Sequence, residues 1–243
     1  SDATSQRTIA KDMGDRYLLN GTKNWITNGG TSGIHLVIAQ TDVEKGHRGI
    51  NILIVEAKWE GVSIGAKEDK LGIRASDTHT LLFNDIKVPK ENRIGEDGFG
   101  FTFAMKTLSG GRIGIASQAL GIAAGAYELA LDYAKTRKAF GKEIAQHQAI
   151  QFKLADMATE IEAARLLIYK AAQIKDDHGN YDLASSMAKV FASEVAMKTT
   201  VEAVQIHGGY GFVKEYHVER LMRDAKITQI YEGTSEVQKI VIS

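Results

Sequence analysis

The sequence predicts an α+β protein of two unlike halves, a β domain over residues 1–92 and a helical domain over residues 93–243. Short runs of branched and aromatic residues, separated by glycines and polar residues, fill residues 15–88 and are typical of strands. From about residue 98 onward, apolar residues recur at helical spacing, which indicates amphipathic helices. The only proline of the chain, Pro89, closes the first half.

The β half begins with a predicted hairpin at Asn20-Gly21, because Asn-Gly between extended runs is a strong hairpin signal. Further strands are predicted at residues 34–39, 50–55 and 78–83, each rich in branched residues. No helix-length period separates these runs. The pattern therefore favours an antiparallel sheet, a sandwich or a small barrel over a βαβ fold.

The helical half predicts an antiparallel bundle. Three long helices are expected at Phe99–Lys135, Gln146–Lys175 and Leu183–Ile206, then a short one at Val218–Asp224 and another opening near Thr234. Polar or glycine-rich breaks separate them at residues 137–141, 176–180 and 207–211. The first helix contains several glycines, which destabilise a helix. We therefore expect a neighbouring helix or a ligand to approach it closely.

Composition excludes several classes of function. Thirty basic residues balance thirty acidic ones, so no net charge favours nucleic acid or an anionic membrane surface. There is no cysteine, which excludes disulfides, thiolate metal sites and cysteine nucleophiles. No run of about 18 apolar residues predicts a membrane span. The N-terminus lacks both a methionine and the pattern of a signal peptide, so we expect an excised or proteolysed piece.

Familiar catalytic motifs are absent from the sequence. The seven histidines are scattered without metal-ligand spacing, and no GxSxG, GxGxxG or GxxxxGK[ST] motif is present. One acid stands out, because Glu232 directly precedes Gly-Thr-Ser at a predicted helix start. Ser235 and Gln238 have the spacing of a capping box, which would explain the segment as a helix start. The alternative is that Glu232 is a catalytic base at the mouth of a pocket, and composition and spacing leave both open.

A resemblance to the acyl-CoA dehydrogenase family covers essentially all 243 residues. Seven segments carry it, in the order of the family's middle and C-terminal domains: WITNGG at 25–30, LGIRASDT at 71–78, FNDIKVP at 83–89, RKAFG at 137–141 with His147-Gln148, QIHGG at 205–209, MRDAK at 222–226 and IYEGTSEVQ at 230–238. The resemblance implies an antiparallel β-barrel or sandwich-like middle domain followed by an antiparallel four-helix bundle. It also implies that the family's N-terminal helical domain is absent from this chain.

The resemblance implies a function as well. Glu232 would abstract the α-proton of an acyl-CoA thioester, FAD would accept the β-hydride, and a trans-2-enoyl-CoA would form in fatty acid β-oxidation. Some family members place the base one residue before the arginine that matches Arg112. Gly111 stands there, so the short- or medium-chain type is favoured. Two alternatives remain: an acyl-CoA oxidase-like flavoprotein, and a non-catalytic oligomerisation or interaction fragment.

The same resemblance assigns site residues one by one, with Glu232 as the catalytic residue. The cofactor-binding residues are expected to be Trp25, Thr27, Arg137, Phe140, Gln148, Gln205, Gly208, Gly209, Thr234 and Glu236. Ser1, Arg112 and Gly233 are assigned to the substrate, and no metal site is expected. Arg137, Phe140 and Gln148 match residues that reach the FAD of a neighbouring subunit.

The expected partners are an acyl-CoA, an electron-transferring flavoprotein and further copies of the chain, in a tetramer built as a dimer of dimers. Neither nucleic acid nor a membrane span is expected. The expected compartment is the bacterial cytoplasm, or the mitochondrial matrix in a eukaryote. We expect these 243 residues alone to fold, to hold little or no FAD and to lack dehydrogenase activity, because the flavin would lose one of its walls.

Overall fold

The chain divides into two compact units, seen in a computed structural model that describes residues 2–243. The first unit comprises the chain up to Lys70 together with Arg74–Thr107, and the second comprises Leu71–Ile73 with Leu108–Ser243. Residues 93–107 thus pack with the strands. The predicted fold class, a β domain followed by a helical domain, is confirmed. The predicted substrate contact Ser1 lies outside the described residues.

The first unit is built on a six-stranded sheet with the strand order β4-β3-β1-β2-β6-β5. Neighbouring strands run antiparallel, except that β1 and β3 pair in parallel at Ile9 and Gln40. The core of this unit contains Tyr17, Leu19 and Phe83, which are at most 1% exposed. The strands are β1 Ile9–Asp12, β2 Arg16–Thr27, β3 Ile34–Gln40, β4 Ile50–Glu56, β5 Val62–Lys67 and β6 Thr78–Pro89.

The predicted hairpin at Asn20-Gly21 is wrong. Both residues lie inside β2, where the register against β6 shifts between Leu19 and Gly21. Gly21 has φ +142°, and a Cβ there would lie 2.8 Å from the Thr8 Cα, so this strand bulge requires glycine. The Asn20 Nδ2 group donates to Asp85 Oδ1, and the Asp85 N–H donates to Asn20 Oδ1, each at 2.9 Å. Asn20 therefore bonds across the sheet instead of forming a turn.

Three long helices and two short ones form the helical half, and all of them except the first eight residues of α1 belong to the second unit. The ends of the long helices fall within two residues of the prediction. A small hairpin begins in the predicted polar break after the first helix. Phe140 and Gly141 form its turn. The elements are α1 Gly100–Thr136, β7 Lys138–Ala139, β8 Lys142–Glu143, α2 Gln148–Asp176, α3 Asp182–His207, α4 Val218–Ala225 and α5 Ser235–Ile242.

Alanines fill the contacts between the long helices. Ala119 of α1, Ala164 of α2 and Ala192 of α3 are fully buried in one cluster, and such small side chains let helices approach closely. The glycines of α1 differ from one another: a Cβ at Gly111 would lie 2.6 Å from Glu232 Oε2, whereas a Cβ at Gly114 or Gly121 would meet nothing within 4 Å in the described chain. Among the described helices, α1 alone is long and apolar enough by composition to cross a membrane, and the core helix of a bundle meets the same criterion.

Candidate active site

Glu232 lies on a left-handed turn just before α5. Its φ is +55°, and that of Gly233 is +89°. A left-handed conformation costs a residue with a side chain about 1–2 kcal/mol, so neighbouring groups must hold it. The Lys189 ammonium donates to the Gly233 carbonyl at 2.7 Å. The Gln238 amide donates to the carbonyls of Glu232 and Gly233, each at 3.0 Å.

The predicted capping box of Ser235 and Gln238 is wrong, because a different residue caps α5. Thr234 is the N-cap of α5, and its hydroxyl accepts from the Val237 N–H at 3.4 Å. The Ser235 hydroxyl is buried and has no hydrogen-bond partner within the described chain. Gln238 bonds back to two carbonyls and not to the N–H of the cap. The cap and the Glu232 turn are thus neighbouring features, and the helix start alone does not explain the acid.

The Glu232 carboxyl lies against Gly111 of α1. A Cβ built on Gly111 would be 2.6 Å from Glu232 Oε2 and 3.1 Å from its Cδ. A side chain at position 111 and the side chain of Glu232 would therefore occupy the same space. Glycine at position 111 therefore leaves the space that the Glu232 carboxyl occupies.

Burial raises the pKa of the half-buried Glu232 carboxyl, while Arg112 and Lys189 oppose that shift. Arg112 is 8% exposed; its guanidinium donates to the Ser186 hydroxyl at 3.1 Å, and its Nε has no partner among the described groups. Burial also lowers the pKa of Lys189 to about 8. A carboxyl with a raised pKa is a stronger base once it is ionised, and the ionised fraction of Glu232 should increase as the pH rises through that pKa.

A second candidate region is a cavity of about 740 Å³ where α1 and α3 end. Arg137, Gly208 and Gly209 line it together, so the structure brings three predicted cofactor-binding residues to one place. Gly208 has φ +58°, and a Cβ on either glycine would meet nothing within 4 Å. The Arg137 guanidinium lies 5.5 Å from the centre of the Tyr210 ring. The cavity therefore combines a cation, aromatic walls and open glycine backbone.

The remaining predicted cofactor residues of the helical unit lie outside the lining of that cavity. Phe140 occupies the β7–β8 turn, is 94% exposed and lies 6.0 Å from the His147 ring. Gln148 begins α2 and Gln205 lies in the last turn of α3, both exposed. Thr234 and Glu236 line a smaller cavity of about 300 Å³ at the start of α5.

In the β unit, the predicted flavin-facing residues lie at the end of β2. Trp25 is 69% exposed with φ +61°, and Thr27 is exposed. Asp77 holds the loop that follows: its carbonyl accepts from the Asn28 N–H and its carboxylate from the Gly30 N–H, both at 2.8 Å. An exposed indole thus stands beside a loop fixed by hydrogen bonds.

Lys189 and Gln238 are both fully buried. The sequence patterns predict neither the site role of Lys189 nor the hydrogen bonds that Gln238 makes. The available signal was a lysine within an otherwise small and apolar stretch of α3, residues 188–192, since lysine is rarely buried without a partner. Among the described residues, no group of three or more His, Cys, Asp or Glu side chains is arranged to hold a metal ion.

Known proteins match both units. The family model described as "Acyl-CoA dehydrogenase, middle domain" matches residues 1–86, and that described as "Acyl-CoA dehydrogenase, C-terminal domain" matches residues 98–243. The chain is 54% identical over all 243 residues to a short-chain specific acyl-CoA dehydrogenase of Clostridium acetobutylicum. It is 53% identical, again over 243 residues, to the caffeyl-CoA reductase-Etf complex subunit CarC of Acetobacterium woodii.

A solved butyryl-CoA dehydrogenase from Megasphaera elsdenii has the same fold, with a TM-score of 0.97 and 55% identity over 99% of this chain and 63% of that one. The chain spans 64% of the length of the two curated relatives that it matches. With family models matching most of the sequence, the chain belongs to the acyl-CoA dehydrogenase family.

Proposed function

We propose that the protein dehydrogenates an acyl-CoA thioester between Cα and Cβ, with Glu232 as the base. The observation that carries the proposal is the position of the Glu232 carboxyl, half-buried against Gly111, with its pKa raised by burial. A carboxylate in such surroundings is suited to remove a proton from a weakly acidic carbon. We assign the compartment as the bacterial cytoplasm or the mitochondrial matrix, depending on the source.

FAD is the cofactor that we propose. The residues present fit it: Trp25 offers an exposed aromatic face, and the cavity beside Arg137 offers a cation and open glycine backbone at Gly208 and Gly209, which suit a pyrophosphate. When bound, FAD accepts the hydride that leaves Cβ. Trp25 and Thr27 would hold the flavin ring, and Arg137 would hold the dinucleotide end of the FAD of a neighbouring subunit.

The chain's own part in the reaction is the proton transfer. An ionised Glu232 oxygen takes the proton from Cα, and the electron pair of that C–H bond becomes the new Cα–Cβ double bond as hydride leaves Cβ. The two cations nearest Glu232, Arg112 and Lys189, oppose the rise in its pKa and so keep an ionised fraction available. The left-handed turn fixes the backbone that carries the carboxyl, which limits the positions that the carboxyl takes and reduces the orientational cost of the reaction.

Anaerobic titration of the full-length, flavin-loaded protein with butyryl-CoA tests the proposal. We expect the oxidised flavin absorbance near 450 nm to bleach in proportion to the acyl-CoA added, with one enoyl-CoA formed for each flavin reduced. Acyl-CoAs of increasing length would then define the preferred chain. Stable flavin absorbance with every saturated acyl-CoA tested would contradict a dehydrogenase.

We propose an electron-transferring flavoprotein as the acceptor. The support is the similarity to a relative whose name places it in a complex with such a flavoprotein. Fast reoxidation of the reduced protein by air alone would favour the oxidase-like alternative. A homotetramer, assembled as a dimer of dimers, is part of the same proposal.

The same site also supports the reverse reaction, because a base in one direction is the acid in the other. The similarity to a subunit named as a reductase favours testing it. A protonated Glu232 would deliver its proton to Cα while hydride reaches Cβ. Reduction of an aryl-acrylyl-CoA faster than oxidation of butyryl-CoA would establish the reductive direction as the main one.

Arg137→Ala is expected to weaken FAD binding much more than it disturbs folding. The substitution removes a cation from the cavity edge, and a charge-assisted contact to a phosphate is worth roughly 1.5–3 kcal/mol, about 10- to 100-fold in affinity. Flavin retention, measured by absorbance after gel filtration, checks this. Lys135→Ala, which alters an exposed cation of the last turn of α1, is the matched control. Parental flavin affinity in intact Arg137→Ala oligomers would refute the placement.

A further inference from the structure

Lys189 of α3 is fully buried, although lysine is among the residues least often found inside a protein. Its ammonium donates to the Gly233 carbonyl at 2.7 Å, immediately after the proposed base. None of the ion pairs among the described residues includes Lys189 or Glu232. The lysine thus bonds to the backbone of the turn and acts on the carboxyl only through space.

We propose that Lys189 is a positioning residue, which holds the Glu232–Gly233 turn so that the Glu232 carboxyl stays over Gly111. This inference rests on the proposed function of Glu232. The positive φ of Glu232 makes the turn dependent on outside support, whereas Gly233 adopts its positive φ without strain. Two side chains converge on the Gly233 carbonyl, Lys189 from α3 and Gln238 from α5.

The charge of Lys189 has a second effect. Burial lowers the pKa of Lys189; Glu232 opposes that shift, Arg112 adds to it, and Glu236 is the other acid that opposes it. Since the Lys189 cation opposes the rise in the Glu232 pKa, its removal must raise that pKa further. Arg112 of α1 also opposes that rise, but its guanidinium donates to the hydroxyl of Ser186, one turn before Lys189 on α3, so it does not take the place of Lys189 at the Gly233 carbonyl.

Lys189→Met and Lys189→Gln, made in the full-length protein, test the inference. Methionine keeps the length and removes both donor and charge, whereas glutamine keeps a donor and removes the charge. Lys198→Met is the matched control, since Lys198 lies on the same helix, is exposed and pairs with Glu160. If methionine prevents folding, the glutamine variant carries both readouts, and a parental Glu232 pKa together with a parental kcat in that variant would overturn the inference.

Two readouts separate positioning from a merely structural role. The first is the pKa of Glu232 itself, followed by NMR of protein labelled with carbon-13 at the glutamate carboxyl and assigned with Glu232→Gln. The second is the pH profile of kcat with butyryl-CoA. In both Lys189 variants we expect the carboxyl pKa and the acidic limb of the profile to rise by about one unit. In Lys189→Met we also expect kcat to fall about 10- to 100-fold where the base is ionised, with KM nearly unchanged.

An unchanged Glu232 pKa in both variants would overturn the inference. A shifted Glu232 pKa together with a parental kcat at alkaline pH would overturn it as well. Lys189 would then affect the charge at the site without holding the turn in place. The proposed function fails in a different way, with a parent protein that does not dehydrogenate acyl-CoA at all. The NMR titration does not depend on turnover, so the two failures are distinguishable.

Discussion

Glu232→Gln in the full-length protein is expected to leave FAD bound and to reduce acyl-CoA dehydrogenation by at least about a thousandfold, within the range that a positioned general base contributes. Glutamine keeps the shape of the side chain over Gly111 but has no ionisable oxygen. Because burial raises the pKa of the carboxyl it replaces, the substitution should leave the fold at least as stable. Stopped-flow reduction of the flavin by butyryl-CoA measures the effect.

The control for this variant is Glu128→Gln, which makes the same change on an exposed face of α1. It should keep the parental rate. If Glu232→Gln reduces its flavin at a rate close to that of the parent, the base lies elsewhere and the left-handed turn has another purpose.

Gly111→Ala is expected to reduce kcat about a hundredfold without unfolding the protein. The added methyl carbon would lie 2.6 Å from Glu232 Oε2, which is too close, so the flexible carboxyl must move. A displacement of about 1 Å at a reacting group costs on the order of a hundredfold in rate. Alanine also favours the helix over glycine by about 1 kcal/mol, so the thermal midpoint should stay the same or rise while activity falls.

Gly114→Ala is the matched control on the same helix, because a Cβ there would meet nothing within 4 Å. It should gain the same helical stability and keep full activity. Equal rates for the two alanine variants would show that the Glu232 carboxyl does not depend on the space above Gly111.

Periodicity in the sequence predicts the helices well, because the small residues of α1, α2 and α3 are buried along continuous faces. The dipeptide signal for a hairpin fails at Asn20-Gly21, because these two residues suit both a tight turn and a β-bulge. The choice there depends on Thr8 and Asp85, which are distant in sequence. Local signals carry no information about such partners.

The candidate site shows the same contrast between local sequence signals and partners that are distant in sequence. The motif that indicates Glu232 lies within one short segment of the sequence. Lys189 is 43 residues earlier in the sequence than Glu232, and only the packing of α3 against the turn makes it a partner of that segment. Spacing predicts Ser235 as the cap of α5, whereas Thr234 has the extended backbone of an N-cap and its hydroxyl accepts from the Val237 N–H.

Exchange of the α-proton with solvent reports proton removal by Glu232 separately from hydride transfer. A 3-thiaacyl-CoA, which carries sulfur in place of Cβ and so cannot lose a β-hydride, is incubated with the full-length protein in D₂O, and deuterium at Cα is measured by mass spectrometry. The parent protein should exchange the α-proton rapidly, and faster as the pH rises through the pKa of Glu232, whereas Glu232→Gln should not exceed the rate in buffer alone. Exchange by Glu232→Gln at the parental rate would contradict the claim.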